Sequence, residues 1–339
     1  MKTLWQQVAA FYQAQRPLVD RGVQAGVLTV LVGLVLQAPV TAVYPSQWVT
    51  VLLIGIFLLG TRSLAWGYAA AVGVLLWPFW HLSPYLMALF LAVTVLARGP
   101  ILDHLPWALL VAASPLLAQG YLVALPPLVA GLLGGATVGM WVGLFAALWV
   151  KLLGGMGGLP VDLLSLNEYA FNARLLAERF SGANSLETLR LLLAPFAEDS
   201  MALLLHVLQV AAWGLVGYLV GRVKETAWAE RMPLATRVAA VVVGMGVAWT
   251  GVYAVPAWLQ LASFDVLLRT PGTHVGLVVS GVLTLGLYQL YHALRQPAVR
   301  QRAVRVRRGW PTVATSQGGA GTADAVPSAD DDLIMIELD

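Results

Sequence analysis

Cysteine is absent from this chain, which excludes disulfide bridges, zinc–thiolate sites, iron–sulfur clusters and thiol catalysis. Charge is also scarce, because Asp, Glu, Lys and Arg make up 11% of the residues, whereas soluble domains carry about 25%. Apolar residues make up 59% of the 339, so too few polar side chains remain to cover the surface in water. The composition therefore predicts an all-α, polytopic integral membrane protein whose outer surface is covered by lipid.

Recognised catalytic and cofactor motifs are missing as well. No P-loop, GxGxxG or GxSxG sequence occurs, and the histidines are scattered without metal-ligand spacing. We therefore expect no catalytic activity, no cofactor and no metal. Nucleic acid is not an expected partner, because the arginine-rich run at 295–308 contains almost no aromatic residues. The five histidines are His81, His104, His206, His274 and His292.

Long apolar runs are what the chain has in abundance. Two of them, residues 48–60 and 84–97, are shorter than the ~17 residues that a perpendicular membrane helix needs, so their crossing stays open. The whole set predicts about eight to ten crossings. The nine runs are residues 23–44, 48–60, 64–80, 84–97, 105–125, 128–150, 201–220, 238–255 and 274–294.

Basic residues predict which segments face the cytoplasm. Residues 222–237 and 295–308 are rich in arginine, and the positive-inside rule places both, with the N-terminus, on the cytoplasmic side. If both termini lie inside, the number of membrane crossings is even. It is eight if residues 105–125 form a re-entrant segment, and ten if the region 105–150 crosses the membrane three times. Because the chain has 17 Arg and only three Lys, we expect the cytoplasmic membrane of a bacterium with a GC-rich genome.

The organisation along the chain follows from these runs. We predict an amphipathic N-terminal segment at 1–22 and an extramembrane loop with amphipathic helices at 154–200. Within this loop, Ser165 and Glu168 fit a capping box, and a second helix is expected to begin near Asn184 and end near Pro195. The five predicted units are 1–22, a first bundle at 23–153, the loop 154–200, a second bundle at 201–294, and a basic run with a disordered acidic tail at 295–339.

A glycine stripe is the sharpest local pattern. Four glycines recur at every fourth residue of the run 128–150, so on one continuous helix they form a flat face that another helix can approach closely. We expect this face to serve helix packing. A moving or substrate-lining helix is the functional alternative, and a homodimer contact is a third. The stripe consists of Gly131, Gly135, Gly139 and Gly143.

Polar residues inside the apolar runs are few, and each is a candidate binding residue because its burial in lipid is costly. His206 and Gln209 are three apart and share a helix face, where they are able to bind a small polar molecule, relay a proton or hydrogen-bond to neighbouring helices. Gln119 follows a Pro115 break. Lys151 ends the run 128–150, and we expect it to extend toward water.

The C-terminal region predicts two further contacts. Its arginines are expected to bind anionic lipid head groups on the cytoplasmic side. Residues 330–339 place four apolar residues beside three aspartates, a composition compatible with a docking peptide for a cytoplasmic protein or with an incidental tail. The arginines are Arg295, Arg300, Arg302, Arg305, Arg307 and Arg308.

Two functions follow from the sequence. The first is a multi-pass membrane subunit or scaffold without catalytic activity, which engages a protein partner through its spans and its cytoplasmic tail. The alternative is a membrane transporter, or a solute-binding transport component, for a small molecule. An intramembrane enzyme ranks third, because the apolar runs hold no acid–base pair.

Overall fold

The structure is a computed structural model, and it describes residues 2–37, 43–157, 163, 173–196, 200–226, 233–261 and 271–295. These residues are 90% helical and no strand occurs among them, so the predicted all-α class is confirmed. The units predicted at 295–339, including five of the six arginines and the docking peptide 330–339, lie outside the described residues, as does the predicted capping box of Ser165 and Glu168.

Helices account for nearly every described residue. Five segments are long and apolar enough to cross a membrane: Arg16–Gln37, Ala136–Met156, Ser200–Lys224, Leu234–Trp258 and Gly272–Leu294. The predicted eight to ten crossings remain a prediction. The helices are α1 (Lys2–Ala14), α2 (Arg16–Gln37), α3 (Ser46–Arg62), α4 (Leu64–Leu82), α5 (Pro84–Leu96), α6 (Arg98–Asp103), α7 (Leu105–Gln119), α8 (Leu125–Gly134), α9 (Ala136–Met156), α10 (Ala173–Phe180), α11 (Ser185–Leu193), α12 (Ser200–Lys224), α13 (Pro233–Trp249), α14 (Val255–Trp258) and α15 (Pro271–Arg295).

The first group of helices, α2 to α4, packs through small residues. A Cβ added to Gly60 on α3 would lie 2.8 Å from the Cβ of Ala25 on α2, and Gly67 on α4 backs directly onto Gly60. Leu28, Val32, Leu36 and Ile56 fill the apolar core beside this contact, and Leu105 and Leu109 of α7 close it. Close backbone approach of this kind is how helices associate where lipid replaces water.

The chain reverses direction at Gly135, so the single helix predicted for 128–150 is wrong. Gly135 has φ 88° and ψ −178°, a conformation that side-chain-bearing residues rarely adopt. A Cβ on Gly139 would lie within 2.6 Å of the Gly131 Cα, whereas eight residues along one helix span about 12 Å. Helices α8 and α9 therefore form a hairpin, and Gly135 is its turn rather than part of a continuous glycine face.

Helix α8 has ten residues, and its residues 125–132 are all buried at the centre of a second group of helices. Its neighbours are α9, α12, α13 and α15. A helix that is apolar on every side is a core element. The first turn of α8 leaves few N–H groups without a hydrogen-bond partner, so it tolerates burial. Pro126 and Pro127 carry no N–H, and the N–H groups of Leu125 and Leu128 donate to the carbonyls of Leu122 (3.0 Å) and Ala124 (3.3 Å).

The two helix ends that meet at Gly135 are held by the end of α12. The Lys224 ammonium donates to the Leu133 carbonyl of α8 at 3.3 Å, and the Ala136 N–H of α9 donates to the Glu225 carboxylate at 3.0 Å. A cation at a helix C-terminus and a carboxylate at an N-terminus both complement the helix dipole. Lys224, the last residue of α12, and Glu225, which follows it, thus hold the two sides of the hairpin turn.

Helices α10 and α11, which lie in the segment predicted to be extramembrane, pack on the ends of α4, α5 and α9. Leu176, Phe180 and Leu192 form an apolar cluster with Leu82 and Leu86. Helix α11 begins where the sequence predicts, because the Asn184 side chain accepts the Glu187 N–H at 2.9 Å, and it ends at Leu193, just before Pro195. The cap at Asn184 is thereby confirmed.

Candidate functional site: a buried lysine between two helices

Helices α9 and α12 run antiparallel in direct backbone contact, and this contact sets the geometry of the site. A Cβ on Gly139 would overlap the Gly217 carbonyl, and one on Gly143 would overlap the Trp213 carbonyl. Gly139 of α9 contacts Gly217 of α12, whereas Gly143, further along α9, contacts the earlier residue Trp213 of α12. The two helices therefore run in opposite directions. Of the predicted stripe, Gly139 and Gly143 face α12 in this way, and Gly131 joins them from α8 against the same Gly217 carbonyl.

Two turns beyond Gly143, the same register brings Lys151 of α9 opposite His206 and Gln209 of α12. The Lys151 Nζ lies 3.1 Å from His206 Nδ1 and donates to Gln209 Oε1 at 2.5 Å. Three of the four predicted polar candidates thus meet as one group, which we call the Lys151 cluster. His206 and Gln209 lie 55 and 58 residues from Lys151 along the chain.

Burial is the second property of the Lys151 cluster. Lys151 and Gln209 are 0% exposed, and His206 is 7% exposed. The expectation that Lys151 extends to water is therefore wrong: the side chain turns inward to α12, because two hydrogen-bond acceptors are placed there. Gln119, the fourth candidate, is exposed at the end of α7 and does not join the cluster.

The cluster is covered by residues that the sequence did not single out. The Leu163 N–H donates to Gln209 Oε1 at 3.3 Å, and the ring of Phe196 lies 5.5 Å from the His206 ring in an edge-to-face arrangement. Close by, Arg179 of α10 donates to the Gly155 carbonyl near the end of α9 at 2.8 Å. A backbone N–H and an aromatic ring from residues outside α9 and α12 thus lie against the Lys151 cluster.

The cluster also lies near the start of the half-length helix α8. Trp213 stands one turn along α12 from Gln209, and its indole N–H donates to the Val123 carbonyl, in the turn that leads into α8, at 3.1 Å. The discontinuous helix and the buried polar group are therefore fixed to neighbouring turns of α12.

The remaining histidines are separate from this site. His81 lies against Trp77, His274 against Tyr253, and His292 against Tyr288. Within the described part of the chain, no three His, Asp or Glu side chains gather in a way that would hold a metal ion.

The described residues form an all-helical protein with five helices that are long and apolar enough to cross a membrane, and this class of structure is typical of a membrane protein. The chain matches no protein-family model, and comparisons with curated proteins and with solved structures find no match.

Proposed function

We propose that this protein is a membrane transport component that binds a small molecule at the Lys151 cluster. The observation that carries the proposal is a fully buried lysine held between two apolar helices by His206 and Gln209. Ionisable groups in such positions are costly and commonly belong to substrate, ion or proton pathways. Packing alone does not account for Lys151, because apolar residues of similar volume often give equal or greater stability.

The half-length helix α8 supports the same proposal. Secondary transporters commonly form their sites beside discontinuous helices near the middle of the membrane. In this chain, α8 ends at the Gly135 reversal and begins beside Trp213, one turn from Gln209. The same close packing of α8, α9 and α12 that positions the cluster is compatible with the substrate-lining role considered for the glycine helix.

Copurification with a matched pair of variants tests this function. We expect mass spectrometry to find a small molecule bound to the protein after purification in mild detergent. Gln209→Leu should lose it, because the substitution removes a hydrogen-bond acceptor of Lys151. Gln119→Leu makes the same change at an exposed position and should retain it. A wild-type protein free of any bound small molecule would contradict the proposal.

The tail sequence favours a second candidate function. We propose, as this alternative, a non-catalytic subunit or scaffold that binds a cytoplasmic protein through residues 330–339, where apolar residues follow an aspartate run. Truncation after Gly309 should then release a stoichiometric protein partner from the purified complex. In the transport function the same truncation leaves the bound small molecule in place, so one purification distinguishes the two.

For the location we propose a bacterial cytoplasmic membrane with both termini inside. Because the chain has no cysteine, single cysteines at Ser185 and Ser328 each give one labelling site. On intact cells we expect an impermeant maleimide to label the Ser185→Cys protein, in the exposed first turn of α11, and not the Ser328→Cys protein. Labelling at Ser328 would overturn this orientation.

A further inference from the structure

The end of α12 gathers three cations around one carboxylate, at the opposite end of this helix from the buried polar cluster. Arg222 lies 3.7 Å from the Glu225 carboxylate, which also accepts the Ala136 N–H at 3.0 Å. The Lys224 ammonium is attracted by the same carboxylate and repelled by the charge of Arg237. The group therefore has an excess of positive charge, and we call it the Lys224 site: Arg222, Lys224, Glu225 and Arg237.

Two of these cations, Lys224 and Arg237, are half-buried, and α13, which carries Arg237, packs on both α12 and α15. The Arg237 guanidinium carbon lies 4.4 Å from the centre of the Tyr288 ring on α15, and the Lys224 ammonium donates to the Leu133 carbonyl at 3.3 Å. Within the described ranges, no carboxylate forms a direct ion pair with either cation. Because charges that are partly removed from water are unfavourable without a partner, an anion bound here would stabilise the structure.

Both side chains present hydrogen-bond donors that suit phosphate oxygens. A guanidinium that covers an aromatic ring with its face still directs N–H groups outward along its edge, as bidentate contacts to phosphate require. An ammonium has three donors, and the Leu133 carbonyl takes one of those of Lys224. A phosphate diester carries one negative charge on two unesterified oxygens, so it is able to accept from both cations and to offset part of their charge.

The position of the site is that of a lipid head group. The site lies at the end of α12 and near the start of α13, in two of the segments that are long and apolar enough to cross a membrane. Leu234 and Val238, on either side of Arg237 along α13, are 60% and 40% exposed. A ligand that reaches Arg237 therefore meets apolar surface beside the charge, and basic pockets between membrane helices bind anionic lipid head groups.

We propose that the Lys224 site binds the phosphate of an anionic phospholipid, whose acyl chains lie along the exposed apolar face of α13. Arg237 and Lys224 donate to the phosphate oxygens, and Arg222 adds to the attraction. This lipid site goes beyond the proposed transport function, and it does not involve the arginines at 295–308. Because Lys224 also holds the end of α8, the bound lipid lies next to the Gly135 hairpin.

The test adds phosphatidylglycerol or phosphatidylcholine to the full chain in a nonionic detergent, and native mass spectrometry measures the dissociation constant of each lipid. Both lipids contain a phosphate diester, but phosphatidylcholine has no net charge. We expect phosphatidylglycerol to bind at least about tenfold more tightly. This preference should shrink at high salt, because salt screens partly exposed charges.

Two substitutions with effects of opposite sign locate the lipid. Arg237→Gln removes one positive charge and should weaken phosphatidylglycerol binding by about fivefold. Glu225→Gln removes the negative charge, keeps a side-chain oxygen for the Ala136 N–H, and should tighten binding by a similar factor. Arg190→Gln is the matched control and should leave binding unchanged, because Arg190 is exposed on α11 and the change in net charge is the same.

Each opposite result contradicts the lipid site. Equal binding of the two lipids would show that charge does not select the ligand. Equal effects of Arg237→Gln and Arg190→Gln, or no gain with Glu225→Gln, would place the bound lipid elsewhere on the protein. Displacement of the lipid by inorganic phosphate at equal concentration would assign the site to a soluble phosphate instead. If Arg237→Gln does not fold, Glu225→Gln and the salt dependence of the wild-type protein decide, and none of these results depends on a copurified small molecule.

Discussion

Gly139→Ala is expected to destabilise the protein by about 2–3 kcal/mol, although it adds only one methyl group. The new Cβ would overlap the Gly217 carbonyl oxygen and the Gly131 Cα, which belong to two different helices. Backbone atoms cannot turn aside as a flexible side chain does, so α8 and α12 would both have to move away from α9. The free energy of unfolding in detergent, obtained from denaturant titration, measures the loss.

Gly246→Ala is the matched control for this substitution. Gly246 is exposed in the last turn of α13, and a Cβ added there meets no atom within 4 Å. Because alanine is a better helix former than glycine, we expect a gain of about 0.5–1 kcal/mol. The two Gly-to-Ala changes should therefore have opposite signs, and equal effects would mean that Gly139 does not lie in a tight contact.

A double-mutant cycle across the Lys151 cluster should give the second large effect. Gln209→Leu removes a hydrogen-bond acceptor from the buried Lys151 ammonium and should cost about 1.5–3 kcal/mol of unfolding free energy, as for hydrogen bonds to charged groups. Once Lys151→Met has removed the ammonium, the same Gln209→Leu change should cost much less. The coupling free energy is expected to be about 1–3 kcal/mol.

The cycle requires the wild-type protein, two single variants and the double variant under one set of conditions. Thr61→Val, on α3 in the first group of helices, serves as the reference partner and should add to Lys151→Met within about 0.5 kcal/mol. Additive costs for Lys151 and Gln209 would show that the two side chains do not depend on each other for stability.

Local pattern was enough to predict several features of the fold. Scarce charge and repeated apolar runs predicted the all-helical class, and Asn184 predicted the start of α11, because its side chain caps residues only three positions away. His206 and Gln209 were predicted to share a helix face, and Lys151 binds both. These features depend on composition or on spacing within a few residues.

The features that sequence reasoning missed depend on distant partners. The run 128–150 resembles one helix because a glycine within a helix costs only about 1 kcal/mol, so Gly135 gives no decisive local signal. The reversal there is held by Glu225, which lies 89 residues from Ala136. Lys151 was expected at the water interface because it follows an apolar run. Its burial depends on the register of α9 against α12, which the glycine contacts set in three dimensions.

The capping of the Gly135 hairpin by Lys224 and Glu225 has a consequence for biosynthesis. At about 5–20 residues per second, a ribosome that has completed Ala136 needs roughly 4–18 s to reach Glu225, 89 residues later. During that interval α8, with ten residues, is too short to cross the bilayer alone, and the Leu133 carbonyl lacks its lysine. The centre of the bundle is therefore completed late, when the end of α12 leaves the ribosome, whereas the α2–α4 group is synthesised before Gly135 is even translated.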